Sequence, residues 1–235
     1  MNNKFKLIIN KFFAFTLAEV LVVIGIIGVV AALTIPTLIQ NSQEKALLTE
    51  FQETYSILQQ VYIQVAQDNG TGDKWTDTTA MYNMLKPYFK LIKECPDADC
   101  DATANFYTSL SGVNGAGGSY RYHFMLANGA VIFIGPADGT WPAGLQVDIN
   151  GKKGPNKVGY DFFGLDFSKK NNLPFLSWPF YTSDGSSFVE DGSDTCNKTS
   201  TLTDFWNGGG CSYWIIRNGN MDYMHRNISD AEWTK

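Results

Sequence analysis

The sequence predicts an α+β chain, with one long N-terminal helix followed by a head built on antiparallel sheet. Three observations predict it. Residues 15–39, FTLAEVLVVIGIIGVVAALTIPTLI, form an apolar run with a single formal charge, Glu19. Beyond it, Leu47, Leu48, Phe51, Tyr55, Leu58, Tyr62 and Val65 recur at three- and four-residue spacing, the period of a helix with one buried face. Further on, Asn128-Gly129 and Asn218-Gly219 each separate two strand-like runs, a signature of tight hairpins. A length of 235 residues with 17% charge suits one folded head plus an appended element rather than two large domains.

The first element begins with a basic flank. Residues 1–14 hold Lys4, Lys6 and Lys11 and no acid, so the rest of the chain carries a net charge of −8 against −5 for the whole. That acidic balance argues against a general nucleic-acid-binding surface. The 25 residues from 15 to 39 exceed the roughly 20 that a helix needs to span a bilayer. Lysines on the N-terminal side keep that end cytoplasmic, which sends everything after residue 39 outward. An ordinary secretory signal has a shorter apolar core and then a small-residue cleavage site, whereas this run continues into a helical pattern. Glu19 is the anomaly, because a carboxylate near apolar surroundings is costly unless it has a partner or stays at the interface. Gly25, Gly28, Ala31 and Ala32 are small enough to let helices approach closely. Pro36 lacks an amide hydrogen and predicts a kink or a locally opened turn.

Lys11-Phe12-Phe13-Ala14 followed by Phe15-Thr16-Leu17-Ala18-Glu19 resembles the precursors of the type IV pilin and type II secretion pseudopilin family. These have a short basic leader, then a phenylalanine-led apolar segment with glutamate fifth. The resemblance implies that a prepilin peptidase cuts between Ala14 and Phe15 and methylates the new terminus at Phe15. The family usually has glycine before the cut; Ala14 is a small residue that suits the same site. Glu19 is then expected to face the Phe15 amine of a neighbouring subunit, which sets register during assembly. Pro36 matches the place where family helices loosen during assembly. The implied organisation is a leader over 1–14, a transmembrane and filament-core helix over 15–39, its amphipathic continuation over 40–69 and a head over 70–235. The implied fold is pilin-like, with the helix packed on the sheet. The implied location is the bacterial inner membrane, crossed once, with the head periplasmic or extracellular and the subunit later in a filament. Implied partners are other pilin or pseudopilin subunits, the prepilin peptidase, an inner-membrane assembly platform and membrane lipid, with no nucleic acid expected.

Asp68-Asn69-Gly70 ends the helical pattern. Residues 70–118 read as a loop-rich connector with a short helix over 79–89, the Cys95 to Cys100 loop, and a glycine-rich stretch over 112–118. Two hairpins are expected, 120–127 with 130–135 and 212–217 with 220–224. The four cysteines fall into local pairs, Cys95 with Cys100 and Cys196 with Cys211, and two disulfides are the simplest reading. Disulfides fit an outward-facing head. A four-cysteine zinc site is the rival, although neither pair has the usual two-residue spacing.

Between residues 147 and 163, Asp148, Asn150, Asn156 and Asp161 offer oxygen ligands on a glycine-bent loop, a donor set that suits calcium. This segment resembles loops of large pseudopilin-like proteins, some of which bind calcium in the head. The spacing is not that of an EF-hand, and Lys152 and Lys153 oppose a cation. The competing reading is a tight turn held by Asx hydrogen bonds. Trp141, Trp178, Phe180, Tyr181, Trp206, Tyr213, Trp214 and Trp233 make the head aromatic. Most are expected in core or interface, the alternative being a sugar- or protein-binding platform; Pro142 and Pro179 favour packing in turns. His123 lies in an expected strand, with an ordinary hydrogen bond, and His225 follows the second expected hairpin. Neither belongs to a catalytic motif, and no phosphate-loop, dinucleotide or HExxH signature is present. The expectation is therefore a non-enzymatic structural subunit of a secretion pseudopilus or type IV pilus. The alternatives are a membrane-anchored binding module that does not polymerise and a secreted hydrolase with an uncleaved anchor.

Overall fold

The computed structural model describes residues 16–70, 75, 77–96, 107–116, 122–135, 144–151, 153–166, 176–177, 180–181, 188–189, 196–197 and 207–233. The chain divides into two compact units, 1–43 and 44–235. Helix α1, Leu17–Asn69, contributes residues to both. In the first unit the helix is apolar on every side: Leu17 is 78% exposed, Ile24 61% and Leu33 73%. A helix that is apolar all round belongs in a large core or a membrane, and this one is long and apolar enough to cross a membrane. The helix runs through Pro36 without interruption, so the expected opened turn is not part of this structure.

The second unit starts where α1 becomes one-sided. Leu47, Phe51, Thr54, Leu58, Val61, Tyr62 and Val65 are buried, which extends the stripe expected from spacing by Thr54 and Val61. Helix α2, Thr78–Leu85, is capped by the Asp77 carboxylate, which accepts from the Ala80 amide at 2.5 Å; a 3-10 turn at Lys86–Tyr88 completes it. The strands of the main sheet are β1 (Leu91–Pro96), β4 (Tyr122–Leu126), β5 (Val131–Ile134), β6 (Gly144–Asp148), β7 (Phe162–Asp166) and β8 (Leu176–Ser177). They pair antiparallel in the order β1-β4-β5-β6-β7-β8. Two small ribbons, β2 (Tyr107–Thr108) with β3 (Asn114–Ala116) and β9 (Phe180–Tyr181) with β10 (Phe188–Val189), lie outside it.

Register makes the core. Phe124, Ile132, Val147 and Phe163 stand in one cross-strand row and join the buried face of α1 in a single cluster, with the Phe51 and Phe163 rings edge to face at 4.8 Å. The opposite face carries a smaller cluster of Tyr107, Val131, Phe133, Val158 and Phe162. Burying each of these side chains contributes about 1.5–3 kcal/mol.

The first expected hairpin is present as β4 and β5, and the expected 79–89 helix as α2 with its 3-10 turn. The second is corrected. Residues expected as its strands form helix α3, Cys211–Asn218, and a 3-10 turn at Asp222–Met224. Gly219 has φ 67° and its amide bonds the Ile215 carbonyl at 2.8 Å, so Asn218-Gly219 closes a helix rather than a hairpin. Burial decides the difference: Cys211, Trp214 and Ile215 reach the core at helical spacing, which overrides the strand preference of Trp and Ile. Strand β1 also replaces the connector expected there. It is an exposed edge whose register shifts between Leu91 and Lys93, so it lacks the alternation that marks a half-buried strand.

Candidate functional site

Two places hold the residues singled out by sequence. The first is the start of α1. The Glu19 Oε2 accepts from the Thr16 amide and from the Thr16 hydroxyl, both at 2.8 Å, and the Thr16 Oγ1 accepts from the Glu19 amide at 3.2 Å. This reciprocal pair is a capping box, which satisfies amides that a helix start otherwise leaves unpaired. Glu19 therefore has a partner inside its own chain, and that local role was not read from the sequence although the T-x-x-E spacing carries it. Both bonds land on one carboxylate oxygen, so the group keeps acceptor capacity for a cation. Ala14 and Phe15 lie outside the described residues.

The second place is the loop between β6 and β7. Asp148 is 2% exposed and Asp161 0%. The Tyr107 hydroxyl donates to Asp148 Oδ2 at 2.5 Å, and the Asn150 amide donates to Asp148 Oδ1 at 3.2 Å. Asp161 accepts from the amides of Asn156, at 2.8 Å, and Lys157, at 2.5 Å, and from the Asn150 side chain at 3.5 Å. Asn150 thus touches both carboxylates. Burial raises the Asp148 carboxyl to about 7, helped by the nearby charge of Asp161; burial also raises Asp161. The structure brings all four sequence-predicted oxygen donors into one network. Asx hydrogen bonds do hold the loop, as the competing reading had it, but they leave the Oδ1 atoms of Asn150 and Asn156 buried with no partner among the described residues. Orphaned acceptors beside two buried carboxylates fit a hard cation such as calcium, which takes oxygen ligands. Lys153 is exposed; Lys152 lies outside the described residues.

The loop is anchored from the C-terminal side. Cys196 and Cys211 form a disulfide with a Cα separation of 5.0 Å. A Cβ built on Gly159 would lie 2.9 Å from Cys211 Sγ and from Gly208 Cα, and one on Gly208 2.3 Å from the Val158 carbonyl oxygen. Only two glycines allow this approach. The Tyr223 hydroxyl donates to the Gly159 carbonyl at 2.8 Å, and the Leu110 amide to the Asn207 carbonyl at 2.7 Å. Sequence reading missed Tyr107, 41 residues from its carboxylate partner, and no local pattern announces such a pair.

The remaining candidates are mostly framework. Trp214 and Trp233 pack edge to face at 5.1 Å inside the core; Trp141, Pro142, Trp178, Pro179 and Trp206 lie outside the described residues, as does Cys100. His123 sits in β4 as expected; it is buried, beside the Phe133 ring at 5.4 Å, and the ordinary hydrogen bond expected for it is not found among the described residues. His225 is exposed and pairs with Glu44 at 2.7 Å.

No family model, no curated protein and no solved structure matches this chain. Its function therefore rests on the geometry and on the N-terminal resemblance.

Proposed function

We propose that this chain is a subunit of a type IV pilin-like filament, a pilus or a secretion pseudopilus, made as a precursor and cut between Ala14 and Phe15. The observation that carries the reading is the first unit's helix, exposed and apolar on all sides yet opening on a capped carboxylate at Glu19. Lipid would cover such a helix before assembly and neighbouring helices afterwards. The small residues Gly25 and Gly28 have nothing within 4 Å of a would-be Cβ, so a second helix can approach there closely. Removal of the leader would place a cationic amine at Phe15, which needs a partner in a low-dielectric bundle, and a neighbour's Glu19 supplies one. A subunit docked in the wrong register leaves a charge unpaired, so the pair acts on specificity more than on stability. The Cys196–Cys211 disulfide suits a head on the oxidising side of the membrane. The work of the protein in this reading is assembly, not turnover.

Two variants separate the charge of Glu19 from its cap. Glu19→Ala removes both. Glu19→Gln keeps the capping side chain, since glutamine serves at this position, and removes the charge. Both are expected to insert into membranes at parental levels and to drop out of filaments, with incorporation falling at least about tenfold, as loss of a buried partner implies. Sheared-filament fractions and membrane fractions, blotted for the protein, report the two outcomes. Normal incorporation of Glu19→Gln contradicts the charge-pair role, and normal incorporation of both points to a simple membrane anchor for a binding head.

A further inference from the structure

Among its described residues, the second unit leaves two large apolar side chains exposed, Ile63 at 49% and Ile92 at 64%. They lie on different elements, and each element carries charge of one sign. Over residues 46–69, α1 holds Glu50, Glu53 and Asp68 and no base; residues 86–93, which lead into β1, hold Lys86, Lys90 and Lys93 and no acid. Lys86 is paired with Glu94 at 2.6 Å, and Asp68 accepts from the Tyr88 hydroxyl at 2.5 Å. Glu53, Lys90 and Lys93 are exposed and form no ion pair among the described residues. On α1, exposed Glu53, Ser56, Gln60, Ile63 and Gln67 follow one another at three- and four-residue steps, a single outward ridge opposite the buried stripe. Strand β1 begins the sheet order and, among the described residues, pairs only with β4. Its register shifts at Ile92, which has no partner on β4, and Lys90 and Lys93 flank that residue. Edge lysines and a bulge guard a sheet against adding another strand, and two copies meeting edge to edge would set these lysines against their own counterparts. The edge therefore disfavours a second β1 and favours an acidic surface. Elsewhere the acids Asp222 and Glu232 are held by Arg226, and Glu44 by His225; Glu53 is not held.

We propose that the β1 edge of one head docks against the outward ridge of α1 in a second copy, with Ile92 meeting Ile63 and with Lys90 and Lys93 facing Glu53. The sheet packs on the other side of α1, so the ridge and the edge are separate surfaces of one head. The contact is then heterologous: each copy offers its β1 edge to one neighbour and its α1 ridge to another, and copies add in series instead of closing as isologous pairs. This deepens the filament reading and rests on it for its setting, although every residue it uses lies in the second unit. A strip with few apolar side chains and exposed charges gives orientation more than affinity. A weak contact suffices where packed helices already hold the copies together, because the second contact is then made within one assembly.

Cysteine cross-linking tests it in the full-length chain, in membranes and in sheared filaments, with a thiol-specific bismaleimide. Both positions are exposed, so neither substitution disturbs the fold. The chain carrying Ile63→Cys and Ile92→Cys together is expected to give a ladder of dimers, trimers and higher multimers. Either change alone should give at least about tenfold less product, as a heterologous contact requires. Adding Lys93→Glu to the double-cysteine chain is expected to cut the ladder about fivefold, the worth of a surface charge pair turned repulsive. Adding Glu53→Lys as well should restore it, since the charges are then exchanged. A ladder absent from both fractions overturns the interface, and so does product from Ile92→Cys alone at the level of the double variant, which marks an edge-to-edge pair. The two readings fail separately. A ladder formed by chains whose leader stays uncut at Ala14 upholds the interface and sinks the filament reading, whereas filaments at parental yield without a ladder do the reverse.

Discussion

Gly208→Ala is expected to be among the most destabilising single changes in the head, lowering its unfolding temperature sharply and exposing it to protease. Gly208 has φ 111°, a conformation that costs any other residue on the order of 1–3 kcal/mol. A Cβ there would also meet the Val158 carbonyl oxygen at 2.3 Å and its carbon at 2.6 Å. These are backbone atoms that cannot rotate aside, and Val158 is pinned by its amide bond to the Thr108 carbonyl at 2.8 Å. Strain and overlap together reach roughly 3–5 kcal/mol, a large part of the 5–15 kcal/mol that holds an ordinary domain. Gly219→Ala is the control: φ is 67° but nothing lies within 4 Å of the added carbon, so the cost is about 1 kcal/mol. Thermal unfolding and protease resistance of the two variants check the pair. Equal, small losses would mean that the 159–208 seam is not built as described.

That seam also marks where sequence reading stopped. The apolar run over 15–39, the stripe from Leu47 to Val65 and the hairpin at Asn128-Gly129 are local periodic signals, and each corresponds to an element that is present. Asn218-Gly219 is ambiguous by nature, since a left-handed glycine ends helices as readily as it turns hairpins, and only the burial of Trp214 and Ile215 decides. In the candidate site, Asp148, Asn150, Asn156 and Asp161 were legible because their spacing put oxygen donors on one loop. Tyr107 and the Gly159–Gly208 contact were not, because both join segments dozens of residues apart. His123 was legible as a strand residue, but the partners of its ring nitrogens depend on what covers the sheet, which no local pattern gives.

Without added cation, Asp148→Asn is expected to invert its stability relative to the parent between pH 4 and pH 8. An unfolded aspartate titrates near 4, while burial, reinforced by the charge of Asp161, raises folded Asp148 to about 7. Between those values the folded state keeps a proton that the unfolded state gives up. The parent's stability is therefore full below about pH 4, declines as pH rises through the window and levels off above about pH 7. An amide does not titrate, so the variant lacks this decline and at pH 8 should exceed the parent by on the order of 3 kcal/mol. At pH 4 the protonated parent is at least as stable as the variant. His123 acts in the opposite sense, since burial lowers it first and the charge of Lys93 adds to that. Its contribution is lost as pH falls below about 6.5, and because both proteins contain it, it cancels in the difference. Urea unfolding in EDTA at pH 4, 6 and 8 measures the crossing; parallel curves would show that Asp148 does not hold its proton in the folded head.

The filament reading turns on what happens at Ala14 and Phe15. Mass spectrometry of the N-terminal peptide from membrane-extracted protein, produced with and without a prepilin peptidase, tests it most directly. The account predicts a chain that begins at N-methylated Phe15 when the peptidase is present and at the uncut leader when it is absent. A leader that stays intact in both, or a cut well beyond Ala32, would contradict it and leave the chain as an anchored or secreted protein.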